Sequence, residues 1–99
     1  MSFYTITFRR RAIKEYSDST AWYKDHSIKT SENFVSRIEK SFLSIAASPY
    51  SFSNKYKNFY EVKIEKFPFT IVYFIKEQKQ TVIITSLFHH KRNPANKYR

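Results

Sequence analysis

The segment Phe69-Thr70-Ile71-Val72-Tyr73-Phe74-Ile75 constrains this chain more than any other. Every residue in it but Thr70 is apolar, and nothing in it alternates. A strand of that kind has both faces covered and sits in the middle of a sheet. The remaining residues must therefore supply strands on either side of it and a layer across it. Two neighbours are evident: residues 59–66 and 81–89 are rich in β-branched and aromatic side chains. Glu77-Gln78-Lys79-Gln80 is the hairpin turn between the last two strands, unusual in having no glycine. Near the start, Phe3 to Phe8 alternates and predicts a short first strand.

Between these strands the period changes. Ala12, Ile13, Tyr16, Ala21 and Tyr23, with Thr20 among them, form a helical stripe over about residues 9–25, with Arg10, Arg11, Lys14 and Asp18 on its wet side. The polar stretch from Asp25 to Thr30 breaks it. A second helix carries Phe34, Ile38, Phe42 and Ile45 at steps of four, four and three, and ends before Pro49. Residues 51–58 read as an irregular connection. The fold class is α+β in the order β-α-α-β-β-β, an antiparallel sheet packed on one helical hairpin in a single domain over residues 1–99. Trp22, Tyr23, Phe34, Phe42, Phe69 and Tyr73 are expected in the core. One hairpin covers one sheet face only, so the other is expected to be covered by a partner.

The formal net charge is +10, and it is uneven. Residues 1–49 hold eight Lys/Arg against five acids, and residues 50–99 hold ten against three. A/T-rich codons explain part of the lysine content, but not where the lysines lie. The absence of cysteine excludes disulfides, a thiol nucleophile and cysteine-based zinc sites. The absence of glycine excludes both common phosphate-cradling loops and disfavours a nucleotide-cofactor enzyme. The first residues contain no apolar signal core, and no apolar run approaches the roughly 18 residues of a membrane span. A cytoplasmic protein without a membrane partner is expected.

The C-terminal run Phe88-His89-His90-Lys91-Arg92-Asn93-Pro94 through Tyr98 and Arg99 gathers imidazoles, fixed cations and a phenol, the groups a metal-free site needs to hold a phosphate and move protons. No carboxylate follows Glu77 in sequence, so Lys79, Lys91, Arg92, Lys97 and Arg99 have no neutralising neighbour there. An anionic partner, nucleic acid above all, is the expectation.

Three segments, in this order, resemble the RelE/ParE superfamily of bacterial type II toxins. Ala21-Trp22-Tyr23 is similar to an aromatic pair near the end of the family's first helix. Phe67-Pro68-Phe69-Thr70-Ile71-Val72-Tyr73 resembles its Phe-Pro-Tyr-x-Ile-x-Tyr strand start. His89-His90-Lys91-Arg92-Asn93-Pro94 resembles its closing His-x-(Lys/Arg)-Arg-(Asp/Asn)-Pro. The resemblance implies a toxin held by an acidic cognate antitoxin in a hetero-oligomer, with one of two activities. One branch cleaves mRNA on the ribosome without a metal. The other poisons DNA gyrase and cleaves nothing. The nuclease branch's sheet lysine corresponds to Lys63, and its late arginine and tyrosine to Arg92 and Tyr98. Its third-strand arginine falls at Thr70, and Glu61 stands where a lysine is common. Phe-Pro-Phe and Arg-Asn-Pro are nearer to the ParE side.

Read as a nuclease, the chain has His89 or His90 as one proton carrier and Tyr98 or Glu61 as the other, with Arg92 and Lys63 for the phosphate charge. Lys55, Lys57, Lys79, Lys91, Lys97 and Arg99 are the expected nucleic-acid contacts. The plain alternatives are packing or turn capping for the histidines, a solvated strand face for Lys63, and a solvated turn for Arg92. On a continuous strand His89 and His90 point to opposite faces, which makes them poor chelators, so no metal or other cofactor is expected. A third reading is a basic nucleic-acid-binding module without toxicity.

Overall fold

The computed structural model describes residues 3–98. Strand β1 (Thr5–Phe8) leads into helices α1 (Arg10–His26) and α2 (Ile28–Ala47). Strands β2 (Ser53–Tyr56), β3 (Phe59–Lys63), β4 (Phe69–Lys76) and β5 (Thr81–His89) follow. The sheet order is β1-β5-β4-β3-β2, so the apolar strand β4 is the middle of five.

Two features of the sheet depart from the sequence reading. The stretch 51–58 is not wholly irregular: β2 lies within it as an antiparallel edge strand on β3. All four β2 residues are exposed, so the strand has no buried face and no alternation to betray it. The Asn54 side-chain amide closes its turn by donating to the Lys57 and Phe59 carbonyls at 2.9 and 3.0 Å. Secondly, the sheet is not antiparallel throughout, because β1 pairs in parallel with β5, Thr5 opposite Thr81.

The helix break is narrower than the polar stretch suggests. Ser27 alone is extended, its N–H bonded to the Tyr23 carbonyl at 2.7 Å. Its hydroxyl accepts the Thr30 N–H at 3.2 Å, capping α2. On α2, Phe34, Ile38 and Ile45 are fully buried, as their spacing predicts. On α1 the true inward stripe is Ala12, Tyr16 and Tyr23. Ile13 is exposed and so is Trp22, at 58%, which corrects its placing in the core. Trp22 instead stacks on His26, four residues on, at 4.0 Å.

Facing the helices, β4 contributes Ile71 and Tyr73, and β5 contributes Val82, Ile84 and Leu87. Ile84 and Leu87 are three apart and would fall on opposite faces of a regular strand. A bulge solves this: Val72 pairs with Ser86 but Tyr73 with Ile84, leaving Thr85 unpaired. The Tyr73 phenol, buried in the core, donates to the Pro49 carbonyl at 2.6 Å. Turns without glycine put Lys57, Lys66 and Gln80 in left-handed backbone, at φ of 50°, 69° and 47°.

One end of the sheet's second face is covered by the chain itself. Arg92 and Lys97 lie over the Phe88 ring at 5.7 and 5.8 Å, and Tyr98 reaches Glu61 on β3. The segment after β5 thus folds back across β4, where Val72 is fully buried. At that end the apolar face is no sign of a missing partner, while Phe74 and Ile83 further along it stay half-buried. Among the described residues, no helix is long and apolar enough to cross a membrane.

Candidate functional site

Cations at the end of the chain meet carboxylates that are remote in sequence. Glu15, on the inner flank of α1, takes the place of the strand that β5 lacks beyond Ile84. It accepts the Ser86 hydroxyl at 2.8 Å and the Leu87 N–H at 3.0 Å. Its other oxygen pairs with Arg92 and, at 3.2 Å, with Arg11. Glu61 does the same on β3: Lys97 pairs with it at 2.8 Å and the Tyr98 hydroxyl donates to it. The Glu61 side chain is 9% exposed. Arg92 and Lys97 are thus neutralised within the fold, although no acid stands near them in sequence.

Tyr98 is fixed on both sides. Its ring stacks on Tyr56 at 4.6 Å and packs against Phe59 at 5.3 Å. Burial first, then the hydrogen bond to Glu61, pushes its phenol well above the ordinary pKa. A phenol held protonated by a carboxylate is a weak proton donor to a leaving oxygen at neutral pH.

The two histidines diverge. His90 Nε2 meets the Thr70 hydroxyl at 2.9 Å, so the residue standing where the nuclease branch has arginine is engaged by imidazole. His89 lies on the helix side, its ring edge-on to Phe69 at 4.8 Å. Burial, together with His90, Lys91 and Arg92, lowers its pKa. Lys63 is exposed at the end of β3, in register with Thr70. The face opposite the helices therefore carries Lys63, Glu61, Thr70, His90, Lys97 and Tyr98, while His89 is excluded from it.

The remaining candidate contacts scatter. Lys57 and Lys79 lie in turns at the end of the sheet away from Lys63 and Lys91. Lys55 is on the exposed edge strand β2. Arg99 lies outside the described residues. Sequence reading missed Glu15 as part of this cluster; its bonds span 71 to 77 residues, and no local pattern signals them.

At the opposite end a third carboxylate gathers donors. Glu77 accepts from Tyr4 at 2.8 Å and Tyr50 at 2.6 Å. These bonds, that of Tyr50 first, hold its carboxyl below the usual range, and they push the Tyr50 phenol up to about 12. The arrangement pins the N-terminal strand to the β4–β5 turn and presents no open group for chemistry.

A sequence model for a family described as the ParE toxin of the type II toxin-antitoxin system parDE matches residues 6–94. Among solved structures, a chromosomal ParDE system from P. aeruginosa superposes with a TM-score of 0.73 at 11% identity, covering 88% of this chain and 96% of that one. The isolated E. coli RelE toxin gives 0.63 at 18% identity, covering 95% and 92%. The intact E. coli RelBE toxin-antitoxin complex gives 0.63 at 20% identity, covering 90% and 99%. At such identities the likeness is one of fold. No curated protein sequence matches the chain.

Proposed function

The chain belongs to the ParE toxin family of type II toxin-antitoxin systems, and from that premise we propose that it arrests growth by binding a protein target, DNA gyrase, rather than by cutting mRNA. One observation carries this reading: Arg92, the arginine a nuclease would need, is already neutralised, and so is Lys97 beside it, which leaves Lys63 alone of that set without a counter-ion among the described residues. Metal-free cleavage requires preorganised positive charge where the phosphorane develops. Here Arg92 is paired with Glu15 and Lys97 with Glu61, and position 70 is an uncharged threonine held by His90. A carboxylate beside the phenol repels an incoming phosphate. The Phe-Pro-Phe and Arg-Asn-Pro segments agree with the ParE side of the resemblance.

The mRNA-cleaving reading keeps one observation in its favour. Lys63, Glu61, His90 and Tyr98 do share one sheet face. As a family toxin, the protein has a cognate antitoxin as partner. An acidic, folding-on-binding antitoxin in a cytoplasmic hetero-oligomer suits a toxin of charge +10.

The test is induced expression of the wild type with two readouts, bulk translation and gyrase-dependent DNA breaks. DNA breaks should appear while translation continues. Purified protein that cuts mRNA on ribosomes and leaves gyrase untouched overturns the proposal. Thr70→Arg sharpens the result: restoring a cation should produce no nuclease, because Glu61 and Glu15 remain.

A further inference from the structure

One cavity plays no part in this reading. It measures about 500 Å³ and lies between α1 and the β3–β4 loop, lined by Ser19, Trp22, Tyr23, Pro68, Phe69 and His89. Its walls are aromatic, with Trp22 and Tyr23 edge to face at 5.2 Å. Stacking on His26 rather than burial keeps the exposed Trp22 ring in place. The Ser19 hydroxyl is committed to the Glu15 carbonyl at 2.7 Å.

His89 is the exception. Its Nδ1 accepts the Lys91 N–H at 3.0 Å, so the neutral ring carries its proton on Nε2. That N–H has no partner among the described residues. Its lowered pKa keeps the ring neutral near pH 7. Lys91, two residues on and held against the His89 ring by its backbone N–H, is exposed and makes no ion pair among the described residues.

Flat aromatic walls, one in-plane donor and an adjacent cation ask for a planar ring with an acceptor and an attached anion. An aliphatic side chain satisfies the walls alone and leaves the His89 N–H unpaired. We propose that this cavity holds an unstacked base of a single-stranded nucleic acid. The base lies against Trp22 and Tyr23, accepts from His89 Nε2–H, and places its phosphate at Lys91. Base stacking on aromatic side chains is the sequence-tolerant way proteins grip single strands. The inference goes beyond the choice of target and stands or falls separately from it.

Trp22 is the only tryptophan in the chain, so its emission reports on the cavity without labelling. Purified protein is titrated with UMP, dUMP, AMP, ribose 5-phosphate and N-acetyl-leucinamide. The nucleotides should quench Trp22 saturably in the millimolar range, and the other two compounds should not. The tighter of UMP and dUMP assigns the strand as RNA or DNA. His89→Phe should weaken nucleotide binding about tenfold, the value of one hydrogen bond of ordinary strength, with an unchanged circular-dichroism spectrum confirming the fold. Lys91→Ser, at an exposed position, should weaken UMP but not uridine. Equal quenching by ribose 5-phosphate, leucinamide binding as tight as UMP, or no saturable quenching by any nucleotide overturns the proposal.

Discussion

Changing Glu61 to glutamine and Tyr98 to phenylalanine, singly and together, tests whether the chain end is truly bound to β3. Glu61 is nearly buried, with Lys97 at 2.8 Å on one oxygen and the Tyr98 hydroxyl on the other. Glutamine keeps an acceptor for the phenol but removes its charge and leaves Lys97 without a counter-ion. Hydrogen bonds to charged groups contribute about 1.5–3 kcal/mol, against about 0.5–1.5 for neutral ones. Weakening two such contacts should lower stability by roughly 1–3 kcal/mol. In a domain of this length each kcal/mol is worth about 4–8 °C in Tm. Tyr98→Phe should cost about 1–2 kcal/mol, because the carboxylate loses its phenol donor. Urea unfolding followed by circular dichroism gives the three differences, and the double variant should fall short of their sum by about 1 kcal/mol. Hydrogen exchange should also quicken over residues 59–63 in Glu61→Gln. Additivity within about 0.3 kcal/mol, or a Glu61→Gln protein as stable as wild type, would refute the argument.

Glu15→Ala strands the Leu87 N–H and the Arg92 guanidinium together, so it should cost about 3 kcal/mol or more in urea unfolding. Because His89 has a folded pKa below its ordinary 6.5, its contribution is intact above that value and is lost as the pH falls through the folded pKa. Stability should therefore drop as the pH falls below 6.5, and His89→Phe should flatten that drop. Tyr98, Tyr73 and Tyr50 have raised phenol pKa values, so their contribution holds below pH ~10 and is lost as the pH rises through the folded values. Phenolate absorbance should show these three titrating late, together with the onset of alkaline unfolding.

How much was legible in the sequence depended on whether an element has one buried face. α2 buries Phe34, Ile38 and Ile45 against the sheet, and its steps are readable directly. β4 is apolar on both faces and correctly reads as central. α1 is harder, because its inward face includes Glu15 and Ser19, while Ile13 and Trp22 are exposed. A polar cluster against the sheet and a tryptophan left in the open blur the period. β2 is exposed throughout and pairs along one edge only, so its residues carry no pattern at all. The parallel pairing of β1 with β5 is likewise silent, since register across 76 residues has no local code. For the site, the residue types in the C-terminal run were visible, but their counter-ions were not. Chemistry read from sequence neighbours gave Arg92 and Lys97 as unopposed charges; folding opposes both.

The parallel pairing of the first and last strands also sets when in its own synthesis this protein exists. β5 leaves the ribosome some 76 residues after β1, and until it arrives β1 lacks the strand it pairs with. Glu15 waits equally long for Ser86, Leu87 and Arg92. Contacts this distant are slow to form and cannot be anticipated by shorter nascent chains. A partly made copy has no sealed core and no ordered C-terminal face, so a message truncated before β5 yields a chain for proteolysis and no toxin. The interval between initiation and a folded toxin thus includes translation through β5 plus one late folding step. Within that interval a partner already present can meet the chain before it is complete.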